Sequence, residues 1–205
     1  MAYILGFFTA DGSMTKNKRG AHFIELQITD KDLLYKIRQL LGSNHKITER
    51  KRNVRWRNTY RLQIGSKEIF SDLLKIGLTP AKSKTVKLPK IPKKYFNCFV
   101  RGYFDGDGSV TVSCYKRKNR NNKKYITILS GFISGSRKFL EELRDKLKKI
   151  GGFRGGNFCY YSGGYRLFFS VKDSLILYNF MYGDANNNLF LPRKKKIFEK
   201  YFKID

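Results

Sequence analysis

With 205 residues, 41% of them hydrophobic and 15% aromatic, the chain can build one large core or two smaller ones of about 100 residues each. Its formal net charge of +27, with 43 Lys and Arg against 16 Asp and Glu, calls for a polyanionic partner, nucleic acid first and an anionic membrane surface second. No stretch approaches the roughly 20 apolar residues that span a bilayer. The three cysteines form no C-x-x-C pair, and His22 and His45 are the only histidines. A disulfide framework, a zinc ribbon, a histidine-zinc nuclease centre and a Ser-His-Asp site are therefore all unsupported.

The first element is an apolar helix over Ile4 to Gly12, ILGFFTADG. The segment before it carries no basic residue, so the run does not read as a secretory leader. Ser13 to Lys16 begins a strand, Asn17 to Gly20 turns, and Ala21 to Thr29 returns with Ile24, Leu26 and Ile28 on one face and Glu25 and Gln27 on the other. A helix follows over Lys31 to Leu41, then a hairpin of His45 to Arg52 with Thr59 to Gly65, then a helix over Lys67 to Ile76. Thr79 to Asn97 is rich in lysine and carries Pro80, Pro89 and Pro92, which predicts an extended basic linker kept out of helix.

The same series then recurs. VRGYFDGDG (Val100 to Gly108) answers the first motif, and strands Ser109 to Tyr115 and Tyr125 to Ser134 follow, with Leu129 and Ile133 assigned to the apolar face. Next come a helix over Ser136 to Ile150, a hairpin of Gly156 to Tyr161 with Tyr165 to Val171, and a helix over Lys172 to Tyr182. YRLQIGSKE (Tyr60 to Glu68) matches YRLFFSVKD (Tyr165 to Asp173), and TPAKSK (Thr79 to Lys84) matches LPRKKK (Leu191 to Lys196). Three landmarks in one order make this an internal repeat, with the polar tract Lys116 to Lys124 as an insertion in the second copy. The fold class is α+β: two pseudo-symmetric αββαββα units that pack through paired motif helices and form a saddle of two antiparallel four-stranded sheets. The expected division is 1–78 for the first repeat, 79–97 for the linker and 98–205 for the second.

Both motif helices place small residues one turn apart, Gly6 with Ala10 and Gly102 with Gly106, which lets two helix backbones approach closely. Each ends in Asp-Gly, where the glycine suits a left-handed helix end and Asp11 or Asp107 occupies the last turn. A carboxylate at the negative end of a helix dipole, beside a second one, needs a positive partner, and a hard divalent cation is the economical choice.

The two motifs resemble the signature of the LAGLIDADG homing endonucleases, a nine-residue helix ending in Asp-Gly. The second copy matches at Gly102, Asp105, Gly106, Asp107 and Gly108, and the first departs at its sixth position, where Thr9 replaces an acid. The resemblance implies a single-chain, two-motif enzyme whose eighth motif positions, Asp11 and Asp107, bind metal, with the carbonyls of Ala10 and Gly106 assisting. The cofactor it implies is Mg2+, with Mn2+ or Ca2+ able to occupy the same sites. It also assigns a lysine after the last helix of each half to the scissile phosphate, here Lys82 and Lys194. The implied reaction is a staggered double-strand break in a long, pseudo-palindromic double-stranded DNA target, made by a monomer that stays with the DNA inside the cell, in bacterial cytoplasm or an organelle. The alternatives on the same fold are an intron RNA maturase and a non-cleaving DNA-binding protein. No splicing-domain sequence flanks the unit, so an intein-borne copy is the lesser expectation.

The polar sheet faces supply the DNA contacts. In the first half these are Lys16, Lys18, Arg19, Gln27, Lys46, Thr48, Arg50, Arg52, Arg55, Arg57, Arg61 and Gln63. In the second they are Tyr115, Arg117, Lys123, Arg154, Asn157, Tyr160 and Arg166. Arginine and glutamine reach base edges, while lysine meets phosphate. Arg61 and Arg166 stand at equivalent repeat positions.

Overall fold

The computed structural model describes residues 1–50, 58–116, 124–183 and 189–204. The first unit runs α1 (Ala2–Asp11), β1 (Gly12–Lys16), β2 (His22–Ile28), α2 (Lys31–Leu40), β3 (Ile47–Arg50), β4 (Thr59–Gly65) and α3 (Lys67–Lys75). The second runs α4 (Phe96–Asp107), β5 (Gly108–Lys116), β6 (Lys124–Ser134), α5 (Arg137–Gly151), β7 (Asn157–Tyr161), β8 (Gly164–Phe169), α6 (Val171–Tyr182) and α7 (Pro192–Phe202). Each unit has one antiparallel sheet of four strands, in the orders β1-β2-β4-β3 and β5-β6-β8-β7. The architecture is the expected α+β repeat.

The registers show how closely the halves correspond. Gly12 stands opposite Leu26 and Leu26 opposite Leu62; Gly108 stands opposite Phe132 and Phe132 opposite Leu167. One face of each sheet lies under helices and is buried through Ile24, Leu26, Leu62 and Ile64 in the first and Ile128, Phe132, Leu167 and Phe169 in the second. The opposite faces remain open.

Away from the motifs, three local expectations are corrected. Leu129 and Ile133 are not on the apolar face: Ile128, Ser130, Phe132 and Ser134 turn inward, and Leu129 is exposed. Serines obscure this pattern in the sequence, yet Ser130 is fully satisfied inside, donating to Ser174 Oγ at 2.8 Å while Ser174 donates to the Phe169 carbonyl at 3.1 Å. The linker is not wholly extended: short 3-10 turns form at Lys82–Lys84 and Lys93–Tyr95, and Phe96 already belongs to α4. Finally, the basic run after Leu191 opens a helix, α7, with Pro192 in its first turn, where a missing N–H costs nothing. Ile197, Phe198, Tyr201 and Phe202 give it an apolar stripe, and Phe198 is completely buried between Phe104 and Tyr178. Among the described residues the first unit has no counterpart of α7, because its chain passes into the linker instead.

The seam between α1 and α4 is the tightest contact of the fold. A Cβ built on Gly6 would lie 2.0 Å from the Phe99 carbonyl oxygen, and one on Gly102 would lie 2.0 Å from that of Tyr3. One turn on, a Cβ on Gly106 would meet the Ala10 methyl at 2.5 Å. The small-residue stripe therefore does what its spacing predicted. The glycines after the motifs serve a different purpose from the expected one. Gly12 and Gly108 are extended, with φ −78° and −86°, so no left-handed turn requires them. A side chain there would strike Phe8 or Phe104 of the preceding turn.

Candidate functional site

At the C-terminal ends of α1 and α4 the two motif aspartates come together. Asp11 and Asp107 are the last helical residues, and Asp11 Oδ2 lies 3.1 Å from the point a Cβ of Gly106 would occupy. Neither carboxylate forms an ion pair with a described residue. Asp11 opens to solvent, yet desolvation by the protein around it, followed by repulsion from Asp107, raises its pKa to about 6. Burial also raises the pKa of Asp107.

Two lysines are driven into the same place. Lys82 and Lys194 are both buried, which lowers both pKa values, that of Lys194 to about 8. Their ammonium groups do not seat on the carboxylates. Lys194 Nζ shares its three N–H donors among the carbonyls of Phe104 at 2.7 Å, Asp105 at 2.8 Å, Gly106 at 3.3 Å and Gly108 at 2.7 Å. Lys82 Nζ donates to the Gly12 carbonyl, the counterpart of Gly108. Each lysine also lies over the phenylalanine one turn back, Lys82 at 5.3 Å from the Phe8 ring centre and Lys194 at 5.4 Å from that of Phe104. Both thus cap orphan carbonyls at helix C-termini, where the dipole favours a cation. They supply part of the positive charge that the sequence demanded, and they leave the carboxylates themselves without an ion pair among the described residues.

Whether a divalent cation suits this place follows from the donors. Two unpaired carboxylates, close together and pushed toward the protonated state, gain from a shared cation. Hard ions take such oxygens. Among the described residues no cluster of three or more His, Cys, Asp or Glu side chains is placed to hold a metal, so a cation here draws on Asp11, Asp107 and backbone oxygen. Of the two carbonyls the sequence pointed to, that of Gly106 is shared with Lys194.

Asp105 was legible only as a motif letter, and its surroundings explain it. It is 1% exposed, and its Oδ2 accepts from Tyr3 Oη at 2.6 Å and from the Leu191 N–H at 2.9 Å. Leu191 precedes α7, so Asp105 ties the helix bearing Lys194 to both motif helices. Burial raises its pKa to about 6. At the corresponding position Thr9 turns its hydroxyl back to the Leu5 carbonyl at 2.7 Å and ties down nothing else.

The open face of the first sheet gathers Gln27, Thr48, Arg50, Arg61 and Gln63, by register with inward-facing Leu26 and Leu62. Lys18 and Arg19 occupy the β1–β2 turn and Lys46 precedes β3, all exposed. On the second sheet Tyr115, Asn157 and Arg166 share the open face. Lys16 and Tyr160 fall on the other side of their sheets, Lys16 opposite His22 and Tyr160 opposite Tyr165, whose ring centre is 5.0 Å away. Arg154 sits in the loop before β7, its N–H donating to Asp173 Oδ1 at 3.1 Å. Arg52, Arg55, Arg57, Arg117 and Lys123 lie outside the described residues. Glu25 lies on this face as expected, and it forms an ion pair with Arg61 that the sequence reading did not foresee. Its alternation with Leu26 already put it there.

No helix among the described residues is long and apolar enough to cross a membrane. The LAGLIDADG-like domain family matches residues 1–76. An uncharacterized protein of Methanocaldococcus jannaschii is 27% identical over 118 residues, which are 54% of this chain and 39% of that protein. The replication factor C small subunit of the same archaeon is 26% identical over 156 residues, 73% of this chain and 8% of that one. The chain thus spans well under half the length of the curated relatives it matches. Among solved structures, the LAGLIDADG meganuclease I-AabMI bound to uncleaved DNA superposes with a TM-score of 0.66 at 14% identity, covering 98% of this chain and 88% of its own. I-SmaMI bound to an uncleaved DNA target in the presence of calcium ions gives 0.67 at 12% identity, covering 98% and 89%. Residues 1–76 thus match the LAGLIDADG-like domain, and the chain as a whole shares the two-unit fold of the LAGLIDADG meganucleases.

Proposed function

We propose that the chain is a site-specific DNA endonuclease that hydrolyses one phosphodiester on each strand of a long, pseudo-palindromic duplex, leaving a staggered break. The observation that carries this reading is the pair of unpaired carboxylates, Asp11 and Asp107, at the ends of two helices in backbone contact, with a buried lysine beside each. In support, the structural neighbours named above are bound to DNA, one of them with calcium ions present.

Asp11 and Asp107 would hold the divalent cation, Mg2+ as the working ion, with Mn2+ or Ca2+ able to take its place. A cation so held supplies Lewis acidity and an activated water at neutral pH. The chain's own residues do the rest. The α1–α4 seam fixes the spacing of the two carboxylates. Lys82 and Lys194 keep positive charge at the helix ends, where a phosphate gains negative charge during hydrolysis. The open faces of the two sheets, with Gln27, Arg61 and Gln63 on one and Asn157 and Arg166 on the other, bind the two halves of the target. Arg and Lys around them bind phosphate, so affinity falls steeply with salt. In this reading 1–78 and 98–205 each serve one half-site, 79–97 joins them, and one polypeptide acts as a monomer.

The test is to incubate the protein and Mg2+ with a randomised duplex library and sequence the cut ends. The expected result is one long consensus with two related but unequal halves and cuts offset between the strands. Failure to enrich any cut sequence, with binding intact, would overturn the nuclease reading.

A further inference from the structure

The acid on the open face of the first sheet is out of keeping with its setting. Glu25 Oε2 accepts from Arg61 Nη2 at 2.5 Å, and both side chains are largely covered, 18% and 27% exposed. The protein carries a net charge of +27, and the face is otherwise basic or neutral. A carboxylate there weakens attraction to any phosphate backbone, and a pair near the surface adds little to stability. Neither the fold nor general DNA affinity accounts for it.

The second unit shows what is gained. The matching registers put Gly131 where Glu25 stands and Arg166 where Arg61 stands. Gly131 admits no side chain, since a Cβ would fall 2.1 Å from the Leu167 carbonyl oxygen. Arg166 lies instead over the Tyr161 ring, 4.8 Å from its centre. One sheet thus presents a donor and an acceptor side by side. The other presents a donor against an aromatic plane.

We propose that Arg61 and Glu25 act as one unit that reads a single G·C base pair in the major groove of the half-site under the first sheet. A G·C pair shows two acceptors on guanine, N7 and O6, beside one donor, the N4 amino group of cytosine. Arg61 has further guanidinium N–H donors beyond the one given to Glu25. Glu25 Oε1 takes no bond from a described residue of the chain and can accept from the cytosine amino group. Glu25 therefore does two things: it fixes the plane of the Arg61 fork and completes the pattern across the pair. The half-site under the second sheet has no such acid, so discrimination at its equivalent pair is weaker. This inference rests on the DNA-binding reading above.

The experiment is selection of bound duplexes from a randomised library, without cleavage, for wild type, Glu25→Gln, Arg61→Lys and Arg166→Ala. In the wild type, one half-site contains an invariant G·C pair stronger than its symmetry mate. Glu25→Gln relaxes that pair by about tenfold and leaves the other positions unchanged. Arg61→Lys, which keeps the charge and loses the fork, relaxes the same pair. Arg166→Ala relaxes only the mate in the other half-site. A Glu25→Gln profile that matches wild type, or changes scattered over both half-sites, overturns the proposal while leaving DNA binding standing. A wild type that retains no duplex at all removes the DNA-binding reading and the proposal with it, and one that binds every duplex equally overturns the proposal alone.

Discussion

The two units share a seam but not the means of supporting it. At the seam they are near copies: Gly6 and Gly102 each sit against the other helix's backbone, and each motif ends in an aspartate followed by an extended glycine. Around it they diverge. Lys194 rides on α7 amid four carbonyls, and Asp105 ties that helix to Tyr3. Lys82 sits in a single 3-10 turn, preceded by Ala81 in the left-handed region at φ 56°, and reaches one helix-end carbonyl. Symmetry is kept where two backbones must touch, which only glycine permits, and it is relaxed where side chains can achieve the same placement in different ways.

The largest expected effect tests the shared part. Gly102→Val or Gly6→Val forces a side chain into a carbonyl that cannot retreat, so each should cost about 3 kcal/mol or more and abolish cooperative unfolding by calorimetry. A similar loss from both would sharpen the symmetry of the seam, and a tolerated substitution would break it. Phe198→Ala should cost about 3 to 5 kcal/mol in denaturant melts, since a fully buried ring between Phe104 and Tyr178 is removed from a helix the first unit lacks.

A third comparison lies within the motifs. Asp105→Leu leaves the Tyr3 hydroxyl and the Leu191 N–H without their acceptor, a loss of about 2 to 3 kcal/mol, whereas Thr9→Val removes one local bond and costs under about 1 kcal/mol. Equal losses would show that the two units are supported alike. The smallest effect is electrostatic. Because burial and Asp107 hold the folded Asp11 pKa near 6, above its unfolded value, its contribution to stability is present below about pH 4 and lost as pH rises through 6. A divalent cation relieves that cost only when the acid is ionised. Adding Mg2+ or Ca2+ should therefore raise the melting temperature by a few degrees at about pH 7.5 and much less at about pH 5. The combined Asp11→Asn and Asp107→Asn variant should show no such difference.

Much of the architecture could be read from the chain because its periodicities are clean and occur twice. Ile24, Leu26 and Ile28 alternate so regularly that the inward face needed no structure, and Gly6 with Gly102 announced close helices. The failures have physical causes. Ser130 and Ser134 are polar letters made apolar in effect by buried hydrogen bonds, which misplaced Leu129 and Ile133. The lysines at the head of α7 concealed a stripe that begins only at Ile197. The site was legible as two acids and two lysines. That the lysines bind helix-end carbonyls, and that Asp105 reaches 86 residues along the chain to Leu191, depends on tertiary contacts that no local pattern records.

The central claim, that Asp11 and Asp107 are the reacting centre of a DNA endonuclease, is tested most directly by one comparison. A duplex recovered from the cleavage selection is incubated with Mg2+ and either wild type or the Asp11→Asn, Asp107→Asn variant, and binding and strand scission are followed on the same samples. The account predicts that binding persists while double-strand cleavage falls by at least about a thousandfold, the scale set by losing an essential electrostatic group. Cleavage at the wild-type rate by the variant would contradict it.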